Sequence, residues 1–107
     1  MASSFFLERK SGEKPWEGGW VLILFVAGIS PNSQLAIQNL KEIVSQHLPD
    51  RTTVRVVDIL EDPQLAADEN VLVVPTLLRL SPLPEVRITG SLGNRQKVLD
   101  ALGLVKA

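Results

Sequence analysis

The chain contains no cysteine, which excludes disulfides, thiol catalysis and thiolate metal sites from the start. It contains one histidine, His47. A histidine-rich metal site is therefore excluded, and a Ser-His-Asp relay would have to use that single residue. No run of about 18 apolar residues is present, so no membrane-spanning helix is expected. Positive charge is not in excess: 11 Lys and Arg face 12 Asp and Glu, a formal net charge of −1, and nothing argues for nucleic acid. Near the N-terminus the only apolar cluster is Phe5-Phe6-Leu7, with Glu8-Arg9-Lys10 directly behind it. That is not a signal-peptide pattern, and a cytoplasmic location is expected. No cofactor is implied.

What is present is 107 residues, 45% of them hydrophobic, enough for one domain with a real core. Residues 1–19 differ from the rest, with paired serines, a charge-rich stretch, Pro15 and Gly18-Gly19. They read as a flexible N-terminal extension, ahead of a folded domain at 20–107.

Trp20 to Ala27 is apolar at every position, as in a strand covered on both faces. Ser30-Pro31 is a helix-start signal, a capping hydroxyl followed by proline at the first helical position. The helix is expected to run to about Leu48, because Ala36, Ile37, Leu40, Ile43, Val44 and Leu48 recur at intervals of three and four. His47 falls in its last turn, a place that suits an exposed, dipole-stabilised cation better than a catalytic group. Thr53 to Ile59 is a second strand. Asp62-Pro63 repeats the cap-then-proline signal before a short helix over Gln64 to Glu69.

The next stretch, Val71-Leu72-Val73-Val74-Pro75-Thr76-Leu77-Leu78, organises the second half. Pro75 has no N–H for a sheet ladder, so it belongs at the head of a strand. Val71 to Val74 then reads as a buried lead-in and Thr76 to Leu80 as the strand. The Val74–Pro75 bond is a candidate cis-proline joint, although the general preference of X–Pro bonds is trans. Ser81 to Pro84 is a turn, and Glu85 to Thr89 alternates polar and apolar residues as a half-exposed strand does. A final helix opens at Gly93 or Asn94, buries Val98, Leu99 and Leu102, and stops at Gly103.

The order βαβαββα, with a parallel first pair and an antiparallel second pair in a mixed four-stranded sheet, is the thioredoxin-like pattern. In enzymes of that fold the reactive thiols sit at the start of the first helix. Here that place holds Ile29-Ser30-Pro31-Asn32-Ser33, and hydroxyls cannot carry out thiol–disulfide exchange. No catalytic residue is expected. The acidic group Asp58, Glu61, Asp62, Asp68 and Glu69 matches no cation-binding loop and reads as a solvated face. Gly90 to Asn94 lacks the lysine and spacing of a phosphate loop. A cysteine-free scaffold without an active site favours a protein-binding module.

Several ordered motifs resemble the KaiB family of circadian clock proteins. They are Phe25-Val26-Ala27-Gly28, Ser30-Pro31-Asn32-Ser33, Val57-Asp58-Ile59-Leu60 and Asp62-Pro63-Gln64-Leu65-Ala66. Pro75-Thr76-Leu77, Pro82, Pro84, Arg87-Ile88, Gly90, Leu92, Asn94-Arg95 and Lys97-Val98-Leu99 follow. The resemblance covers roughly residues 20 to 105. It implies a non-enzymatic clock component that binds the N-terminal ring of the hexameric KaiC ATPase. There it competes with the sensor domain of the histidine kinase SasA, and in cyanobacteria it also sequesters KaiA. It implies too that two folds are accessible, a thioredoxin-like monomer that binds KaiC and an oligomeric ground state with a rearranged C-terminal half.

Carried over by position, the resemblance assigns partner binding to Arg55, Asp58, Gln64, Leu65 and Asn70. Arg55 stands where the family has a basic residue, and Asn70 where it has a lysine. Leu35 replaces an arginine of the first helix, and Ser91, Gly93 and Gln96 also depart from the family pattern. Ala101 stands where the family usually has glycine, a change worth about 0.5–1 kcal/mol toward a helix. The thioredoxin-like state is therefore the expected resting state. The competing expectation is a divergent scaffold or stress-signalling module with another protein partner.

Overall fold

Ser30 and Pro31 start a helix as their chemistry dictates. In the computed structural model, which describes residues 4–8, 19–48 and 52–104, the Ser30 hydroxyl accepts from the Ser33 N–H at 3.3 Å and Pro31 opens α1, Pro31–His47. The described elements in chain order are β1 (Ser4–Glu8), β2 (Trp20–Val26), α1, β3 (Thr52–Asp58), α2 (Pro63–Asp68), β4 (Thr76–Ser81), β5 (Val86–Thr89) and α3 (Arg95–Leu102). Asp62 caps α2 and Asn94 caps α3, each accepting from the N–H three residues on. Of the two openings offered by Gly93 and Asn94, the helix uses the side chain that can accept. Gly103 closes α3 in the left-handed region, at φ +79°, where glycine meets no Cβ penalty.

The sheet order is β1-β3-β2-β4-β5. β2 and β3 are parallel, while β4 runs antiparallel to both β2 and β5. These four strands form the mixed sheet that the thioredoxin-like pattern requires. A fifth, β1, pairs antiparallel with β3, Ser4 opposite Val57 through Glu8 opposite Thr53. The sequence reading gave no element to this part of the extension. The physical reason for the pairing is plain: β3 would otherwise be a sheet edge with unpaired backbone groups, and Phe-Phe-Leu is a strand-forming sequence.

Strand alternation sorts the core into two layers. Leu22, Leu24 and Val26 of β2, Val54 and Val56 of β3 and Leu77 of β4 meet α1 and α3 through Ala36, Leu40, Ile43, Val44, Val98, Leu99 and Leu102. Ile23, Phe25, Val57 and Leu78 point the other way and meet Ala66 of α2, with Leu65, Val71 and Val74 packed against them. The continuously apolar β2 is thus covered on both faces, as its composition demands.

One expectation fails here. Val71 to Val74 is not a buried lead-in. Val71 and Val74 pack on the α2-side core, but Leu72 and Val73 are 92% and 56% exposed. Ahead of β4 the segment is a loop, and a loop crossing a sheet end can turn only some of its side chains inward. The Val74–Pro75 bond is cis, as are Ser81–Pro82 and Leu83–Pro84. Pro75 is buried at the head of β4 and its carbonyl accepts from the Gly90 N–H at 2.9 Å.

Candidate protein-docking surface

Parallel strands deliver their following loops to one end of a sheet. β2 and β3 both end here, and antiparallel β4 begins here, with Val26 opposite Asp58 and Phe25 opposite Thr76. Three loops therefore meet at this end: 27–30, 59–62 and 69–75. Asp58 ties two of them together. Its Oδ1 accepts from the Gly28 N–H at 3.0 Å and from the Leu60 N–H at 2.9 Å. Gly28 has φ +57°, where glycine meets no Cβ penalty, and a Cβ there would lie 3.3 Å from Leu60 Cδ1, so a larger residue would have to shift the Leu60 side chain as well.

On this frame four large apolar side chains stand in solvent. Ile29 is 87% exposed, Leu60 70%, Leu72 92% and Val73 56%. Scattered exposed apolar residues are ordinary, but four of them on three loops at one end of a sheet make this end the candidate docking surface. Leu35, 49% exposed on α1, follows one turn behind the helix start.

The place of thioredoxin thiols is occupied by Ser30 and Ser33. Ser33 is fully buried, and its Oγ accepts from the Ala27 N–H at 3.1 Å and from the Ser30 hydroxyl at 2.9 Å. Both hydroxyls are consumed in holding the β2–α1 turn. Among the described residues no group of three or more His, Asp or Glu converges as a metal site requires. No helix there is long and apolar enough to cross a membrane.

The residues singled out from sequence take distinct places. Arg55 lies mid-β3, half-buried, opposite Ile23, so alternation puts it on the face that α2 covers. Gln64 is exposed on α2 and donates to Asp68 Oδ1 at 2.8 Å. Leu65 is half-buried in the α2-side core. Asn70 is exposed at φ +57°, a conformation asparagine tolerates better than most residues. Its carbonyl accepts from Arg87 Nη1 at 3.3 Å, while Arg87 Nη2 donates to the Glu69 carbonyl. Arg55, Gln64, Leu65 and Asn70 thus share the α2 side of the sheet, and Asp58 stands at its loop end as a structural tie. Sequence reasoning missed Ile29, Leu60, Leu72 and Val73. Their signal was position: apolar residues inside loops bounded by Gly28, Asp58, Asp62 and Pro75.

Comparison with known proteins speaks to the family and the fold. A family model described as the KaiB domain matches residues 23–104. The circadian clock oscillator protein KaiB of Trichodesmium erythraeum is 42% identical over 91 residues, covering 85% of this chain and 88% of the relative. That of Synechococcus elongatus is 42% identical over 86 residues, covering 80% and 84%. Among solved structures, the N-terminal domain of Synechococcus elongatus SasA superposes with a TM-score of 0.62 at 23% identity, covering 83% of this chain and 88% of that one. Fasciola hepatica thioredoxin gives 0.66 at 19% identity, covering 83% of each. At such identities the two structures speak for the fold alone.

Proposed function

The chain belongs to the KaiB family of circadian clock proteins, and from that premise we propose that it is a non-enzymatic clock regulator that docks on a KaiC-type hexameric ATPase ring and modulates its cycle. The observation that carries the reading is the loop end of the sheet, where Ile29, Leu60, Leu72 and Val73 lie in solvent around an Asp58 tie. Such a surface supports protein docking. Arg55, Gln64, Leu65 and Asn70, on the adjoining α2 side, extend the contact. A SasA-type kinase would compete for the same ring and KaiA would be a secondary partner. A cytoplasmic location belongs to the same reading.

The test is co-elution. The full chain is mixed with a KaiC-family ATPase from the same genome in the presence of ATP and run on size exclusion. Co-elution with the hexamer, weakened by Arg55→Ala, is the expected result. Absence of a complex after a day of incubation would instead favour a divergent scaffold or stress-signalling module, a reading to which the apolar side chain at Leu35 and the uncharged one at Asn70 lend support.

A further inference from the structure

The loop end is apolar at its centre and predominantly acidic at its margin. From Val56 to Leu78 the chain carries five carboxylates, Asp58, Glu61, Asp62, Asp68 and Glu69, and no lysine or arginine. From Trp20 to Leu40 it carries no charge at all. Arg87 reaches toward this end from β5 and keeps its charge there, with both Nη groups donating to the Asn70 and Glu69 carbonyls, so one cation stands among five acids. Asp58 and Asp62 accept from backbone N–H groups; Glu61 and Asp68 are exposed, Asp68 also accepting from the neutral Gln64 amide at 2.8 Å. No three of the described acids converge on a metal position.

Taking the loop end to be a protein-docking surface, we infer that its partner is a cationic amphipathic segment, an apolar ridge flanked by lysine or arginine. The ridge covers Ile29, Leu60 and Leu72, and its flanking cations meet Glu61 and Asp68. Charge complementarity of this kind selects partners and speeds encounter more than it adds affinity. The same rim argues against a lipid surface, because anionic headgroups would be repelled by it.

Two model helices test this against the isotope-labelled full chain. One has leucine at the i, i+3, i+4, i+7 spacing and lysine elsewhere; its counterpart has glutamate in place of every lysine. The lysine helix is expected to move the amide resonances of Ile29, Leu60 and Leu72, to bind at least about tenfold more tightly than the glutamate helix, and to weaken as salt rises. The Leu60→Ser/Leu72→Ser pair should lose this binding, and Glu61→Lys/Asp68→Lys should reverse the preference. Equal binding of both helices, binding of neither, shifts confined to another surface, or a preference untouched by charge reversal would overturn the inference. The outcomes separate from those of the ring experiment. A lysine helix that docks here while the ATPase ring does not co-elute sinks the ring reading alone, and a ring that binds while the two helices tie sinks this one alone.

Discussion

The two ends of the sheet are built on opposite plans. At the far end, where β2 begins and β4 finishes, polar groups are turned inward and used. Arg79 is only 7% exposed, and its Nη1 donates to the Leu102 carbonyl at 2.6 Å and its Nη2 to the Pro84 carbonyl at 2.9 Å. Its guanidinium stacks 5.2 Å from the Trp20 ring centroid, and Ser81 closes the seam by donating to the Gly19 carbonyl at 2.9 Å. One cation thus satisfies the orphan carbonyl of α3 and sits at the negative end of that helix. At the loop end, backbone groups are satisfied by Asp58 but large apolar side chains are left in water. The far end contributes stability, and the loop end gives up burial that it could have had. A fold retains such an unfavourable surface where something else is to cover it.

The contrast can be broken at the far end most severely. Arg79→Met keeps the aliphatic stem but leaves the Leu102 and Pro84 carbonyls unpaired. Part of that loss is offset because Arg79 Nε is itself buried without a partner, so a net destabilisation of about 2–3 kcal/mol in urea unfolding is expected. Asp58→Ala removes the acceptor shared by Gly28 and Leu60 and should lower stability by about 1–2 kcal/mol, with faster amide exchange in both loops. Asp58→Asn, which keeps an oxygen in place, should lose less. Ala101→Gly, in an exposed position of α3, should cost about 1 kcal/mol through helix propensity. Leu60→Ser and Leu72→Ser complete the series with stability changes within about 0.5 kcal/mol, yet they are the variants expected to abolish ring binding. If either serine variant destabilises as much as Arg79→Met, the two ends do not divide the labour as described.

Most of the fold is legible in the sequence because its signals are local. Ser30-Pro31, Asp62-Pro63 and Asn94 announce helix starts through side chains that cap within three residues, the unbroken apolar run of β2 announces a strand covered on both faces, and the alternation over Glu85 to Thr89 announces a half-exposed one. The fifth strand was not legible, because its pairing answers a need of β3, some fifty residues away, and not one of its own. The exposure of Leu72 and Val73 was hidden for a similar reason: an apolar run looks the same whether it enters a core or crosses the end of one. Arg79 was equally unreadable, since a charge on a strand acquires its meaning only from the helix end that lands above it. The candidate site therefore emerged from geometry, while the family resemblance pointed to the neighbouring face at Arg55, Gln64, Leu65 and Asn70.

Amide hydrogen exchange on the full chain, with and without a KaiC-family ATPase ring and ATP, tests the central claim most directly. The account predicts protection on ring binding at 27–30, 59–62 and 69–75, and none at 82–85 or 102–104. Protection centred on the Arg79 end, or no protection anywhere in the chain, would contradict it.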